Sequence, residues 1–185
     1  VLGSGGSARA AVAALGASGC SVRVHARSRV QAEATAALAG GTCGTFPPEP
    51  GSWDLLVNCT PVGMYPRVDE TPIPATHLTG RYVYDLVYNP PETRLLKEAA
   101  EAGCQTIGGL DMLVAQAREQ FLWWTGVSPS VEMMRASEAA RSGATGRLRS
   151  SSSRRWSAIR ISSASGAWGA RPRSSARRRA RSSTE

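Results

Sequence analysis

Small residues that can bind a phosphate group stand together at the start of the chain, in the run Gly3-Ser4-Gly5-Gly6-Ser7-Ala8. The run fits the pattern G-x-G-x-x-G/A, a tight turn that leads into a helix and binds the pyrophosphate of a dinucleotide. In this pattern Gly3 permits the turn, Gly5 lets the phosphate approach the backbone, and Ala8 lets the helix pack closely. Free N–H groups at the helix N-terminus favour the bound anion. The pattern alone is a weak signal, because an ordinary glycine turn has the same composition.

Two arginines in a second short segment bear on which dinucleotide is bound. The segment His25-Ala26-Arg27-Ser28-Arg29 follows a strand-like run. NAD-binding domains usually place Asp or Glu here, where the carboxylate accepts the ribose 2′-OH. This segment has no carboxylate, and a guanidinium group donates well to a 2′-phosphate. The sequence therefore favours NADP over NAD, with two merely solvated arginines as the alternative.

The segments that must position these residues alternate between strand-like and helix-like patterns. Strands are predicted at 21–25, 42–46, 54–60, 82–88 and 105–107, and helices at 7–18, 30–39, 91–102 and 110–125. Such alternation is typical of an α/β fold, here a Rossmann-like parallel sheet with helices on both faces. Only Val1 and Leu2 precede the glycine turn, which must follow a buried strand. We therefore expect the chain to begin inside its first strand and to be the C-terminal piece of a longer protein.

The net charge of +8 is concentrated in the last part of the chain. Residues 137–185 contain 12 Arg, 2 Glu and 14 Ser, whereas residues 1–136 contain 10 basic and 12 acidic side chains. The mildly acidic 1–136 segment is not expected to bind nucleic acid. We predict that 1–136 is a dinucleotide-binding domain and that 137–185 is a disordered low-complexity basic tail, because this composition buries too little apolar surface to fold. An interaction role for the tail is the alternative.

The four cysteines, the apolar runs and the titratable residues indicate a cytoplasmic protein without a metal site. No two cysteines form a C-x-x-C pair, so we expect reduced thiols. No apolar run approaches the ~20 residues of a membrane span, and no membrane partner is expected. The cysteines are Cys20, Cys43, Cys59 and Cys104.

Three further motifs connect the chain to a known family. They are Asn-Cys-Thr-Pro-Val-Gly-Met at 58–64, Tyr-Asp-Leu-Val-Tyr-Asn-Pro at 84–90, and Gly-Gly-Leu-Asp-Met-Leu-Val-Ala-Gln-Ala at 108–117. Together with the glycine turn, in this order and spacing, residues 1–136 resemble the NADP-binding C-terminal domain of shikimate dehydrogenases. The resemblance implies NADPH-dependent reduction of 3-dehydroshikimate to shikimate in aromatic amino-acid (chorismate) biosynthesis.

The resemblance also implies roles for individual residues. Ala26-Arg27-Ser28 matches the family's Asn-Arg-Thr segment at the adenosine phosphate, with Ala in place of Asn. Thr60 matches a residue along the cofactor, and Leu86 and Gly109 match residues beside the nicotinamide. These positions, with Gly3 to Ala8, form the expected cofactor site.

Substrate contacts are implied for Tyr88 and Gln116, which match the two residues through which this domain touches shikimate. A buried Gln needs hydrogen-bond partners, which a polyhydroxy substrate could supply. The family's catalytic Lys and Asp belong to its N-terminal domain, which is absent from this sequence. No catalytic residue is therefore assigned in this chain, and the fragment alone is expected to be inactive.

Three alternatives remain open at this point. The first is an NAD-dependent quinate/shikimate dehydrogenase, for which an acidic residue at position 26 or 27 is expected. The second is a non-catalytic dinucleotide-binding module with an interaction tail. The third is another Rossmann enzyme, such as a glutamyl-tRNA reductase or a methylene-tetrahydrofolate dehydrogenase, against which the motifs at 84–88 and 112–117 argue.

Overall fold

A parallel β-sheet with packed helices is the framework of the protein, of which the computed structural model describes residues 1–141. The strands are β1 (Arg23–His25), β2 (Thr42–Gly44), β3 (Leu55–Asn58), β4 (Tyr82–Asp85) and β5 (Gln105–Ile107). The α-helices are α1 (Gly6–Ala17), α2 (Arg29–Ala36), α3 (Arg94–Glu101), α4 (Gly109–Thr125) and α5 (Val131–Arg141), with 3-10 turns at Ala37–Ala39 and Ala75–His77. From residue 142 on, the tail predicted for 137–185 lies outside the described residues.

Leu2 holds the two parts of the sheet together. All strand pairs are parallel, with β1 beside β2 and the order β3-β4-β5 on the other side. Leu2 forms parallel bridges to both His25 and Asn58, so the spatial order is β2, β1, Leu2, β3, β4, β5. From Leu2, successive strands of the chain are added first toward one edge of the sheet (β1, β2) and then toward the other edge (β3, β4, β5). Ligands of such sheets bind in the crevice at this reversal of strand order, beyond the carboxyl ends of the strands.

Helices cover both faces of the sheet, as the sequence predicts. Neighbouring strand residues alternate between two hydrophobic cores. Val1 and Val57 belong to one core, whereas Leu2 and Leu56 belong to the other. The first core also contains residues of α1 and α2, and the second contains residues of α3. Strands buried on both faces are expected to be continuously apolar, which the run Leu-Leu-Val in β3 shows.

Two strands that the sequence extends to residues 60 and 88 end earlier, at Asn58 and Asp85. In each case the terminal side chain binds the backbone two residues further on. Asn58 Oδ1 accepts from the N–H of Thr60 at 3.0 Å, and Asp85 Oδ1 accepts from the N–H of Val87 at 3.0 Å. These local hydrogen bonds take backbone donors that a longer strand needs for its ladder.

The last helix of the described residues, α5, was not predicted. Ser130 precedes it and its hydroxyl oxygen accepts from the N–H of Met133 at 3.3 Å, which is the signal that could have located the helix start. The helix continues to Arg141, past the proposed domain boundary at residue 136, which stays a prediction. Among residues 1–141, no helix has the length and apolar character needed to cross a lipid bilayer.

Candidate functional site

A cleft of about 650 Å³ lies at the carboxyl ends of the strands, beside the reversal of chain order at Leu2. It brings together seven of the predicted cofactor residues, from three separate segments. Within the described part of the chain, none of the residues that line it is Asp or Glu. The lining residues are Gly3, Ser4, Gly5, Ala26, Arg27, Ser28, Gln31, Phe46, Cys59, Thr60, Pro61, Val62, Arg67, Thr71 and Pro72.

The glycine turn has the backbone geometry that a bound phosphate requires. Gly3 has φ +100° and donates its N–H to the His25 carbonyl at 2.8 Å. A Cβ at Gly3 would lie 3.3 Å from the Cys59 carbonyl oxygen, in a conformation that L residues rarely adopt. Gly5 caps α1 without a side-chain hydrogen bond, and a Cβ built on it meets no atom within 4 Å. The N-terminus of α1 is therefore open to an anion in the cleft.

The last three residues of the predicted turn lie in the first turn of α1 and do not line the cleft. Gly6 and Ser7 are exposed. Ala8 is fully buried and packs in the core that contains Val12 and Val24. Ala8 thus has the predicted packing role, in which its small side chain allows a close approach of helix and sheet.

Only one of the two candidate arginines faces the cleft. Arg27 lines it and takes part in no salt bridge within residues 1–141. Arg29 does not line the cleft and pairs with Glu33 at 2.9 Å on the surface of α2. Ser28 caps α2 by accepting from the N–H of Gln31 at 3.4 Å, which leaves its own O–H able to donate to a ligand. The structure therefore brings one guanidinium and one hydroxyl of this segment to the cleft.

A buried hydrogen-bond network holds Thr60 in the cleft wall. The Thr60 hydroxyl donates to Asn58 Oδ1 at 2.7 Å, and Asn58 Nδ2 donates to Asp85 Oδ1 at 2.9 Å. The Thr93 hydroxyl donates to Asp85 Oδ2 at 2.6 Å. The pKa of Asp85 is raised above its ordinary value, because burial outweighs the opposite effect of its three hydrogen-bond donors. Sequence reasoning quoted Asn58 and Asp85 only as parts of motifs and missed that they fix the position of Thr60.

Two titratable side chains near the cleft stay neutral at physiological pH. Burial lowers the pKa of His25, and its Nδ1–H donates to the Thr45 carbonyl oxygen at 2.5 Å. Burial raises the pKa of the Cys59 thiol to about 12, so it is not a thiolate nucleophile. Residues 1–141 hold no group of three His, Cys, Asp or Glu side chains arranged for a metal ion.

The remaining predicted site residues, Leu86, Tyr88, Gly109 and Gln116, also lie outside the cleft. A Cβ at Gly109 would lie 2.6 Å from the Leu86 carbonyl carbon, so this glycine packs directly on the backbone after β4. Tyr88 is 40% exposed. Gln116 is exposed on α4. The two predicted substrate residues are accessible from solvent but are not brought into the cofactor cleft.

Eight lining residues were not among the predicted site residues. One of them, Gln31, is uncharged and accepts from the Ser4 hydroxyl at 3.2 Å, which ties α2 to the glycine turn. Arg67 and Phe46 come from loops that the sequence marks only as Pro-rich or as a strand end. Sequence motifs do not indicate such residues, because their approach to the cleft depends on how loops distant in the sequence fold.

The sheet order, the open N-terminus of α1 and the crevice at the strand reversal define a Rossmann-like nucleotide-binding domain. Residues 109–137 match the family model described as the shikimate 5′-dehydrogenase C-terminal domain. The chain is 42% identical over 149 residues to the shikimate dehydrogenase (NADP(+)) of Moorella thermoacetica, an alignment that covers 72% of this chain and 50% of that protein. The chain belongs to the shikimate dehydrogenase family.

Solved structures agree with this family. The crystal structure of a shikimate dehydrogenase in complex with NADP+ has a TM-score of 0.70 and 33% identity, and covers 76% of this chain and 53% of that one. The Thermus thermophilus enzyme, in complex with NADP(H) and shikimate, has a TM-score of 0.68 and 36% identity, with coverage of 76% and 53%. The chain spans about half the length of the curated relatives it matches.

Proposed function

We propose that this chain binds NADP in the cleft at the carboxyl ends of its strands. The observation that carries the proposal is the composition of the cleft: an open helix N-terminus at Gly5, the guanidinium of Arg27, the hydroxyl of Ser28, and no carboxylate among the described lining residues. The open space around Gly5 leaves room for the pyrophosphate. A lining carboxylate would repel a 2′-phosphate, so the cleft fits NADP better than NAD.

The whole protein of which this chain is a part is then an NADP-dependent shikimate dehydrogenase. The bound nicotinamide supplies a hydride for reduction of the C3 carbonyl of 3-dehydroshikimate. This chain contributes the groups that hold and orient the cofactor, with Thr60 fixed by Asn58 in the cleft wall. The proton for the carbonyl oxygen is assigned to the N-terminal half of the enzyme, where the family resemblance places the catalytic Lys and Asp. In this chain the pKa shifts of His25 and Cys59 leave both side chains neutral.

The nicotinamide end and the substrate are assigned to the predicted residues outside the cleft, which are Leu86, Tyr88, Gly109 and Gln116. Leu86 and Gly109 pack on each other where β4 ends, which supports a role beside the nicotinamide ring. Tyr88 and Gln116 are accessible and carry a hydroxyl and an amide, the groups that hydrogen-bond a polyhydroxy acid. Their exposure fits a cleft whose opposite wall is supplied by the N-terminal half of the enzyme.

The partners and location follow from this assignment. The N-terminal half of the same enzyme is the protein partner, and shikimate and 3-dehydroshikimate are the small-molecule partners. The four cysteines are unpaired among the described residues. Free thiols fit the reducing cytoplasm, in which NADPH-dependent biosynthesis takes place.

Chemical-shift mapping of the chain with NADP+ tests the proposed site. We expect the backbone amide signals of Gly3, Gly5, Arg27, Ser28 and Thr60 to move on titration, while the signals of β5 stay in place. NAD+ should move the glycine-turn signals at higher ligand concentration and leave Arg27 less changed. Shifts confined to residues outside the cleft would reject the site, and tighter binding of NAD+ would favour the NAD-dependent alternative.

A further inference from the structure

Arg67 places a second guanidinium group in the cleft, and the cofactor assignment above does not use it. We propose that Arg67 binds the 2′-phosphate of NADP together with Arg27 and is a determinant of the preference for NADP over NAD. This inference rests on the proposed function, because it assigns a further residue to the same cleft. Arg27 follows β1 and Arg67 follows β3, on the two sides of the Leu2 strand, so the two cations approach the ligand from different walls.

The loop that carries Arg67 is fixed to the rest of the fold. The Arg94 side chain donates to the Asp69 carbonyl at 2.8 Å, and the N–H of Tyr65 donates to the Asn89 carbonyl at 3.0 Å. The loop ends at the buried Ile73, which is 1% exposed. Because these contacts involve the backbone of the loop and not the Arg67 guanidinium, they place the side chain at the cleft without consuming its donors.

The charges around Arg67 leave it able to bind an anion. Its one carboxylate partner within residues 1–141 is Glu70, at 3.5 Å. The two side chains are 62% and 45% exposed, and such a surface pair is held only weakly. A guanidinium group has five N–H donors, so it can contact a phosphate and keep part of its contact with Glu70. With no acidic residue among the described lining residues, the cleft presents Arg27 and Arg67 as two cations to the ligand.

A matched pair outside the cleft provides the controls. Arg29 and Glu33 form an exposed salt bridge with i,i+4 spacing, and neither residue lines the cleft. Arg29→Gln therefore removes the same charge as Arg67→Gln, from the same chain, without touching the proposed site. Glu33→Gln is likewise the control for Glu70→Gln.

Calorimetric titration of the chain with NADP+, 2′,5′-ADP and NAD+ tests the proposal. We expect Arg67→Gln to weaken binding of NADP+ and 2′,5′-ADP about tenfold, through loss of a charge-assisted hydrogen bond, and to change NAD+ binding less than about twofold. We expect Glu70→Gln to tighten binding of the two 2′-phosphate ligands, because it removes the competing carboxylate. Arg29→Gln and Glu33→Gln should have smaller effects that decrease as salt is added.

Two results would overturn the role of Arg67 while leaving the proposed function intact: an Arg67→Gln variant that binds NADP+ as tightly as Arg29→Gln does, or one that loses all three ligands equally. The second result would mean that Arg67 acts on the pyrophosphate or on the loop and not on the 2′-phosphate. Failure of the unsubstituted chain to bind any of the three ligands would overturn the proposed function and this inference together. Circular dichroism of each variant confirms that the substituted chains are folded before they are compared.

Discussion

Arg27 is the single residue on which the proposed cofactor preference most depends. It is exposed, lines the cleft and has no carboxylate partner within the described residues, so its donors are available to a ligand. Ser28 beside it combines two functions, since its oxygen caps α2 while its O–H remains free to donate. The proposed preference for NADP therefore depends on these two adjacent residues at the end of β1, together with Arg67 in the loop after β3.

Arg27→Asp is expected to weaken NADP+ binding by about 2 kcal/mol or more, because it removes a charge-assisted pair and adds repulsion of the 2′-phosphate. Binding of NAD+ should change little or improve, since the new carboxylate can accept the ribose 2′-OH. Fluorescence titration of the chain with both cofactors measures the two effects, with Arg29→Asp as the control. Equal losses for NADP+ and NAD+ would mean that Arg27 supports the fold and that the 2′-phosphate is bound elsewhere.

Gly109→Ala tests the close packing between α4 and the end of β4. A Cβ at this position would lie 2.6 Å from the Leu86 carbonyl carbon, a distance that requires the backbone to move. We expect a loss of about 1–3 kcal/mol in the free energy of unfolding, measured in urea. Gly5→Ala is the matched control, because its Cβ meets no atom within 4 Å, and an equal loss in both variants would contradict the packing argument.

The residues that could be predicted from sequence are those whose role is local. The glycine turn and Arg27 could be predicted because each lies between a strand and a helix that are adjacent in the sequence. Arg67 and Phe46 were not found, because loops distant in sequence bring them to the cleft.

At the scale of elements, side chains at the strand ends connect the fold to the site. The existence of the strands followed from the apolar runs, whereas the ends of β3 and β4 depended on hydrogen bonds of Asn58 and Asp85 that periodicity does not show. The same two side chains, with Thr93, join the strand ends to the start of α3. The carboxyl edge of the sheet, where the ligand is expected, is thus fixed by buried polar contacts.

Thr93→Ala is expected to destabilise the domain by about 2–3 kcal/mol, because its hydroxyl has two functions. The hydroxyl caps α3, by accepting from the N–H of Leu96 at 3.3 Å, and it also donates to the buried Asp85 carboxylate. Thr93→Ser keeps the hydroxyl and should lose much less. Urea unfolding compares the two variants, and equal destabilisation would show that the lost methyl group, and not the hydroxyl, accounts for the effect.

The end of β1 is expected to make stability dependent on pH. Burial holds the pKa of His25 below its ordinary value of 6.5, so the folded chain binds a proton less readily than the unfolded chain. The stability that His25 contributes is therefore present above about pH 6.5 and is lost as the pH falls below it. Between about pH 7.5 and pH 5.5, we expect the unsubstituted chain to lose more unfolding free energy than His25→Gln does. Parallel pH dependence of the two proteins in urea unfolding would contradict this assignment.

At the scale of the whole molecule, this chain spans about half the length of the Moorella thermoacetica relative and of the solved NADP+ complex. We propose that its residues hold the cofactor and that the accessible Tyr88 and Gln116 form one side of the substrate site. A single wall cannot exclude water or supply the proton that the reaction needs. Turnover is therefore expected only when the second half of an enzyme of this family is present.

Initial-rate formation of NADPH from shikimate and NADP+ tests the proposed roles of the two halves most directly. The bare chain should bind NADP+ but show no turnover, and the chain joined to the N-terminal half of the Moorella thermoacetica relative should turn over. In the joined enzyme, Gln116→Ala should raise the KM for shikimate about tenfold or more, with the KM for NADP+ nearly unchanged. Turnover by the bare chain, or a Gln116→Ala effect confined to NADP+, would contradict the division of the enzyme into a cofactor-binding half and a catalytic half.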